Sequence, residues 1–191
     1  MKPARIVALL AMFVLVLSCA QPPKAEVDAA RAAVTAAQSD PDVITYSADA
    51  LQQAKDALAR MEQFLKDRKY TEAKAAALQA SSLAATARQA AGPAKQQAQS
   101  DATAMIADAK KQLSSLLPTV AAAKRAKPHG LDLVALDNDL AAARSKLADA
   151  DSAFSAGRFL DARDGASSVK AALSDIEKRI ADAIQAARKK K

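Results

Sequence analysis

Residues 133–187 read LVALDNDLAAARSKLADADSAFSAGRFLDARDGASSVKAALSDIEKRIADAIQAA. Within this stretch apolar side chains recur at alternating steps of three and four, in two runs separated by a short polar segment. Such spacing places every member of a run on one side of a helix. The first run is Leu133, Leu136, Leu140, Ala143, Leu147, Ala150 and Phe154, and the second is Phe159, Ala162, Ala166, Val169, Leu173, Ile176, Ile180, Ala183 and Ala187.

The segment between the two runs, residues 155–158, predicts a tight bend. It contains Gly157, and a glycine can take the left-handed backbone conformation that ends many helices. Two helices joined this closely lie antiparallel with their apolar stripes in contact. We therefore predict a helical hairpin, with Phe159 buried at the bend beside Leu147 and Phe154.

The same hairpin occurs twice, because the sequence repeats without a gap at an offset of 89 residues. The bend of the first copy is residues 66–69, and Tyr70 takes the position of Phe159. We predict that Tyr70 fills the first bend near Leu58 and Leu65. Six apolar positions are identical in the two copies: Leu51, Ala54, Leu58, Ala59, Ala73 and Ala77 match Leu140, Ala143, Leu147, Ala148, Ala162 and Ala166.

The composition agrees with an all-α fold made of two tandem antiparallel hairpins. Alanine is abundant, only four glycines occur, and aromatic residues make up 3% of the chain. Gly92-Pro93 is expected to kink or break the chain between the copies, and Pro118 to kink the following helix. The predicted organisation is a signal peptide (1–18), an anchored linker (19–25), repeat 1 (26–96), a connecting helix (97–127), the repeat 2 hairpin (128–187) and a basic tail (188–191).

The N-terminus has the pattern of a secretory signal. Lys2 and Arg5 precede an apolar run over residues 6–17, which is shorter than the roughly 20 residues that a membrane-spanning helix needs. The run ends in Val16-Leu17-Ser18-Cys19, which resembles the lipobox of bacterial lipoproteins. This resemblance implies that Cys19 becomes the N-terminus and carries several acyl chains as a membrane anchor.

The resemblance also implies a location for the protein. In Gram-negative lipoproteins an aspartate after the cysteine favours retention at the inner membrane, whereas here the residue is Ala20. We therefore expect an outer-membrane lipoprotein that faces the periplasm. Cys19 is the single cysteine of the chain, so the alternative is an ordinary cysteine beside an uncleaved signal anchor.

The bends carry a second resemblance. A basic or glycine residue, an aromatic, two further residues and an alanine occur in 68–73 and 157–162. This pattern resembles tetratricopeptide-type hairpins and an uncharacterised family of bacterial envelope lipoproteins with alanine-rich helical hairpins. The repeat length differs from the tetratricopeptide period of 34 residues.

The C-terminal run Arg188-Lys189-Lys190-Lys191 is the densest group of charges. The layout, with an anchor at one end and lysines at the other, resembles the short outer-membrane lipoproteins tied to the cell wall through a C-terminal lysine. Lys189, Lys190 and Lys191 are thus candidates for cell-wall contact, covalent through Lys191 or ionic with wall polymers or lipid headgroups. The simpler interpretation is a frayed tail that complements the helix C-terminus.

No catalytic, cofactor or metal site is predicted. His129 is the single histidine and lies between Pro128 and Gly130, where we expect an exposed loop. Asp132, Asp137 and Asp139 lack the glycine turn and the terminal glutamate of a calcium loop. Charges of both signs alternate along the chain, which is typical of solvated helices and gives no reason to expect nucleic-acid binding.

The sequence thus predicts a non-enzymatic structural or scaffolding lipoprotein of the bacterial envelope. The alternative is an accessory subunit that binds a protein of an export or assembly machine. The alanines from Ala73 to Ala91 bear on this choice, because they form either a buried packing stripe or a shallow groove for a partner helix.

Overall fold

The computed structural model describes residues 21–189, without the side chain of Lys189. These residues form helices and no strand, which confirms the predicted all-α fold of tandem hairpins. The chain folds into two compact units. The first ends at Ala94 and the second begins at Lys95. The helices are α1 (Lys24–Gln38), α2 (Pro41–Tyr46), α3 (Ala48–Lys66), α4 (Tyr70–Ala126), α5 (Leu133–Ser155) and α6 (Phe159–Lys189).

In the first unit α1, α3 and residues 70–94 of α4 enclose a core of small side chains. The alanine stripe of α4 is buried in this core and is not an open groove. Alanine lets helices approach closely, since its methyl group occupies little of the space between two backbones. The buried apolar residues are Val27, Ala30, Val34, Ala37, Val43, Leu51, Ala54, Ala57, Met61, Ala73, Ala76, Ala77, Ala80, Ala84, Ala87 and Ala91.

In the second unit residues 95–126 of α4 pack with the hairpin of α5 and α6. The two predicted heptad runs form the buried side of this hairpin. Three predicted positions, Leu133, Phe154 and Ala187, are only half-buried, and two of them lie at the open end of the hairpin. The largest fully buried side chains here are Leu136, Val169, Leu173, Ile176 and Ile180.

The two bends have the same backbone hydrogen bonds at positions 89 residues apart. At the first, the amides of Arg68 and Lys69 donate to the carbonyls of Leu65 (3.1 Å) and Phe64 (2.8 Å). At the second, the amides of Gly157 and Arg158 donate to the carbonyls of Phe154 (3.0 Å) and Ala153 (2.9 Å). This crossed pair of bonds is the Schellman motif, which requires a residue with positive φ. The residues in that conformation are Arg68 (φ 56°) and Gly157 (φ 76°).

This equivalence predicts opposite effects of exchanging the two residues. Arg68→Gly removes the steric cost of a left-handed side-chain-bearing residue, so we expect it to stabilise the protein by about 0.5–1 kcal/mol. Gly157→Ala introduces that cost and is expected to destabilise by about 1 kcal/mol, although nothing beyond the adjoining residues lies within 4 Å of the added methyl group. Urea unfolding midpoints measure both changes. Shifts of the same sign would contradict the shared bend geometry.

The helix that precedes the hairpin in each unit does not repeat at the 89-residue offset of the hairpins. Glu62 and Asp151 are repeat partners, and they bind Arg31 and Lys110 respectively, at 2.9 and 2.8 Å. Since 151 − 62 is 89 while 110 − 31 is 79, the chain between these helices is ten residues longer in the second unit. The buried positions agree, because Val27, Ala30 and Ala37 plus 79 give Ile106, Ala109 and Leu116, which are also buried. Residues 39–47 of the first unit therefore correspond to the longer segment 118–136.

The predicted break at Gly92-Pro93 is absent, because α4 continues through both residues and through Pro118. Gly92, Pro93 and Pro118 are exposed. A proline removes one backbone donor, and on an exposed helix side the freed carbonyl four residues earlier can bind water. Ala91 and Ala98, which lie before and after Pro93, are both buried.

The aromatic residues at the two bends are buried to different extents. Phe159 is 9% exposed, and its ring lies 5.3 Å from that of Phe154 at an interplanar angle of 58°. Tyr70 is only half-buried, so it does not fill the first bend as completely as Phe159 fills the second, and the prediction of equal burial is wrong. The neighbours explain the difference. Leu58 and Leu65 are themselves half-buried, because α3 turns Ala57 and Met61 into the core instead.

Candidate functional site

The predicted site residues lie at the two ends of the chain. Cys19, Lys190 and Lys191 are outside the residues that the structure describes. Lys189 is the last residue of α6. The structure therefore bears on these predictions through the segments next to them: the start of α1 at Lys24 and the final turns of α6.

His129 is exposed in the connection between α4 and α5, as predicted. Residues 129–132 line a groove of about 420 Å³ together with Arg179, Asp182, Ala183 and Ala186 of α6. This groove shows that the connection lies beside the final turns of α6, so residues far apart in sequence meet at one end of the second unit.

The three aspartates that follow His129 are each bound within the fold. The Asp132 carboxylate accepts hydrogen bonds from the amides of Val134 (2.9 Å) and Ala135 (3.0 Å), and so caps α5. Asp137 pairs with Lys124 of α4, and Asp139 pairs with Arg179 of α6. Within residues 21–189 no group of three His, Cys, Asp or Glu residues is arranged to hold a metal ion.

Ion pairs connect neighbouring helices in both units. In the first, Arg31 of α1 donates two hydrogen bonds to Glu62 of α3, and this guanidinium lowers the pKa of the Glu62 carboxyl below its usual value. In the second, Lys170 of α6 binds Asp108 of α4 at 3.0 Å. These pairs are largely exposed, so each contributes well under about 1 kcal/mol, but together they favour one register of the helices.

Charge is distributed unequally between the units. From residue 21 to Ala94 there are nine basic and nine acidic residues, whereas from Lys95 onward there are 17 basic and 12 acidic residues. The charge of the segment between the first helix and the hairpin also differs between the units, with the second again the more basic. Residues 39–47 contain two aspartates and no cation, whereas 118–136 contain Lys124, Arg125, Lys127 and a single aspartate.

We call the region formed by Arg125, Lys127, Val134 and Arg188 the basic end of the second unit. All four side chains are exposed, and Val134, at 71%, has the greatest exposure of the large apolar residues in the described part. Within residues 21–189 no carboxylate forms an ion pair with these three cations, while Lys124, Lys178 and Arg179 nearby are paired. Sequence reasoning recognised Arg188 but not Arg125, Lys127 or Val134, although Lys124-Arg125-Ala126-Lys127 was a visible cluster of charge.

A smaller groove lies elsewhere on the second unit. It has a volume of about 260 Å³ and is lined by Ile106 and Phe154 together with the ion pair between Lys110 and Asp151. The half-buried ring of Phe154 forms its apolar wall.

None of the helices in the described part is long and apolar enough to cross a membrane.

Part of the chain matches a known protein family. Residues 25–103 match the family described as a domain of unknown function, DUF4398. The match begins in α1 and ends within α4, so it contains the described helices of the first unit and the first residues of the second. No curated protein and no solved structure matches the chain.

Proposed function

We propose that this protein is a lipid-anchored, non-catalytic structural or scaffolding protein of the bacterial envelope, held at the outer membrane and facing the periplasm. The observation that carries the proposal is the Val16-Leu17-Ser18-Cys19 sequence at the end of a short apolar run. An acylated Cys19 is a chemically sufficient anchor, because several acyl chains together hold a protein stably at a bilayer.

The start of the folded part supports this proposal. Only five residue steps separate Cys19 from Lys24, where α1 begins. A fully extended chain of that length spans about 18 Å. An anchor at Cys19 would thus keep the first unit close to the membrane surface, on the periplasmic side.

The build of the two units supports a structural role. Each unit has its own buried core, and in the first unit this core consists largely of alanine. Ion pairs on the surface join the helices of each unit, and α6 alone, with 31 residues, extends over about 47 Å. Long helices fixed against one another in this way suit a spacer or a scaffold.

Binding to another protein is the second candidate function. The groove lined by Ile106 and Phe154 is the observation that favours it, because a half-buried aromatic ring beside a charged rim is a common contact site for a partner chain. In this case the protein would act as an accessory subunit of an envelope export or assembly machine.

The anchor is tested by Cys19→Ala in a bacterial host fed with labelled fatty acid. We expect complete loss of label, because no other cysteine is present, and release of the protein from membranes washed with high salt. Ser18→Ala serves as the matched control, since it keeps a small residue before the cysteine and should label normally. Labelling of the Cys19→Ala protein, or its retention after the salt wash, would refute the anchor.

A further inference from the structure

We propose that the basic end of the second unit binds the surface of an anionic lipid bilayer, as a contact separate from the anchor at Cys19. The proposal deepens the envelope function proposed above and rests on it for the location. The contact is formed by Arg125 in the last turn of α4, Lys127 just after that helix, Arg188 at the end of α6, and Val134 in the first turn of α5.

The charges at this end are available to a ligand. The carboxylates of Asp137, Asp139 and Asp182 are bound to Lys124, Arg179 and Lys178. The Asp132 carboxylate is held by two backbone amides. Arg125, Lys127 and Arg188 remain without an ion pair in the described part, and Lys189, Lys190 and Lys191 follow them in the sequence with three more positive charges.

Two helix C-terminal ends add a reason for cations here, but they do not account for all of them. The C-terminal ends of α4 and α6 carry the negative end of the helix dipole, which basic side chains complement. Lys127 lies beyond the end of α4, in the connection, with a positive φ of 44°. Lys127 thus lies outside α4, so stabilisation of the C-terminal end of that helix does not account for its position.

Val134 distinguishes a lipid surface from other anionic partners. Its side chain is 71% exposed, and because Cα–Cβ bonds of a helix tilt towards the N-terminus, it leans towards the end of the unit where the cations lie. An apolar side chain next to cations matches a bilayer, in which headgroups bind the charges and the acyl boundary accepts the apolar group. A wall polymer of sugars and carboxylates has no apolar layer that the side chain of Val134 could enter.

The first unit provides an internal comparison. Its corresponding connection, residues 39–47, is ten residues shorter than 118–136 and carries Asp40 and Asp42 instead of cations. Asp40 caps α2 through hydrogen bonds from the amides of Asp42 and Val43. Three members of the basic end, Arg125, Lys127 and Val134, thus belong to the segment that is longer in the second unit, and its cations replace the aspartates of the corresponding segment in the first.

The test measures binding to vesicles made of equal parts of phosphatidylcholine and phosphatidylglycerol. The protein is the chain from residue 19 onward carrying Cys19→Ala, which retains every described residue and removes acylation. The test variant combines Arg125→Gln, Lys127→Asn and Arg188→Gln, with asparagine chosen because it tolerates the positive φ at 127. Each lost charge is expected to weaken binding about five-fold, or roughly a hundred-fold for the three.

The matched control removes the same number of charges elsewhere on the second unit, through Lys111→Gln, Arg144→Gln and Lys146→Gln. These residues are exposed and lie at least ten positions from the basic end along their helices. The control should weaken binding only a few-fold. Val134→Ser should weaken it about five-fold without changing the salt dependence.

The proposal would be overturned by equal losses in the test and control variants, by equal binding to pure phosphatidylcholine vesicles, or by unchanged binding of Val134→Ser. Binding to isolated peptidoglycan but not to vesicles would also overturn it and assign the basic end to the cell wall. Because this assay uses protein without an anchor, its failure is distinct from a failure of Cys19 acylation in cells.

Discussion

Phe159→Ala is expected to lower the free energy of unfolding by about 3 kcal/mol. Phe159 is 9% exposed at the second bend, where its ring packs on Phe154 at 5.3 Å. Truncation buries less apolar surface, leaves a cavity and removes the interaction between the two rings. Each of these three changes destabilises the folded state. Phe154 is half-buried and can shift towards the cavity, which keeps the loss near the lower end of the range for phenylalanine. Urea unfolding of the full chain, followed by circular dichroism, measures the change.

Two matched variants make this prediction specific to Phe159. Tyr70→Ala alters the equivalent residue of the first bend and should cost only about 1–2 kcal/mol, because Tyr70 is half-buried. His129→Ala changes an exposed residue and should remain within about 0.5 kcal/mol. If Tyr70→Ala proved as costly as Phe159→Ala, the difference in burial between the two bends would be refuted.

Ala84→Leu is expected to destabilise the first unit by about 3 kcal/mol. Ala84 is fully buried in the alanine stripe of α4, and the core around it consists mostly of other alanines. Three added carbon atoms have no space there unless the helices move apart, and overpacking of this kind costs about 1–3 kcal/mol. A value near the upper limit follows because close helix spacing depends on every member of the stripe.

Ala85→Leu is the control for this substitution. It adds the same atoms one residue further along the same helix, on the exposed side. Its effect should stay within about 0.5 kcal/mol, since leucine and alanine are both good helix formers. Equal stability of the two leucine variants would mean that the stripe is an open groove, which would favour the partner-binding function over the structural one.

The hairpins and their repeat follow from local sequence. The alternation of three and four between Leu136 and Leu147, and again between Ala162 and Ile180, specifies which side of each helix is buried. Gly157 marks the second bend. Alignment of the two copies also points to Arg68, which has the same conformation despite its side chain. These features depend on contacts between residues close in the chain, so periodicity was sufficient to predict them.

The path of the chain through Gly92-Pro93 was decided by tertiary structure. Local propensity favours a break there, but α4 continues through both residues, which lie on an exposed side where water can bind the freed carbonyl. Propensity acts on single residues, whereas packing acts on the helix as a whole. Sequence patterns alone therefore favoured a break where the helix is continuous, although the two compact units do divide next to it, between Ala94 and Lys95.

The register of the first helices and the composition of the basic end also required the tertiary structure. The offset of 79 appears only when Arg31 is found on Glu62 and Lys110 on Asp151. Lys127 and Arg188 are more than 60 residues apart in sequence, and the meeting of the connection with the end of α6 brings their segments together. By itself the sequence determined which faces of the helices are buried and where the hairpins bend. The partners across the helices depended on interactions between distant residues, which no local periodicity encodes.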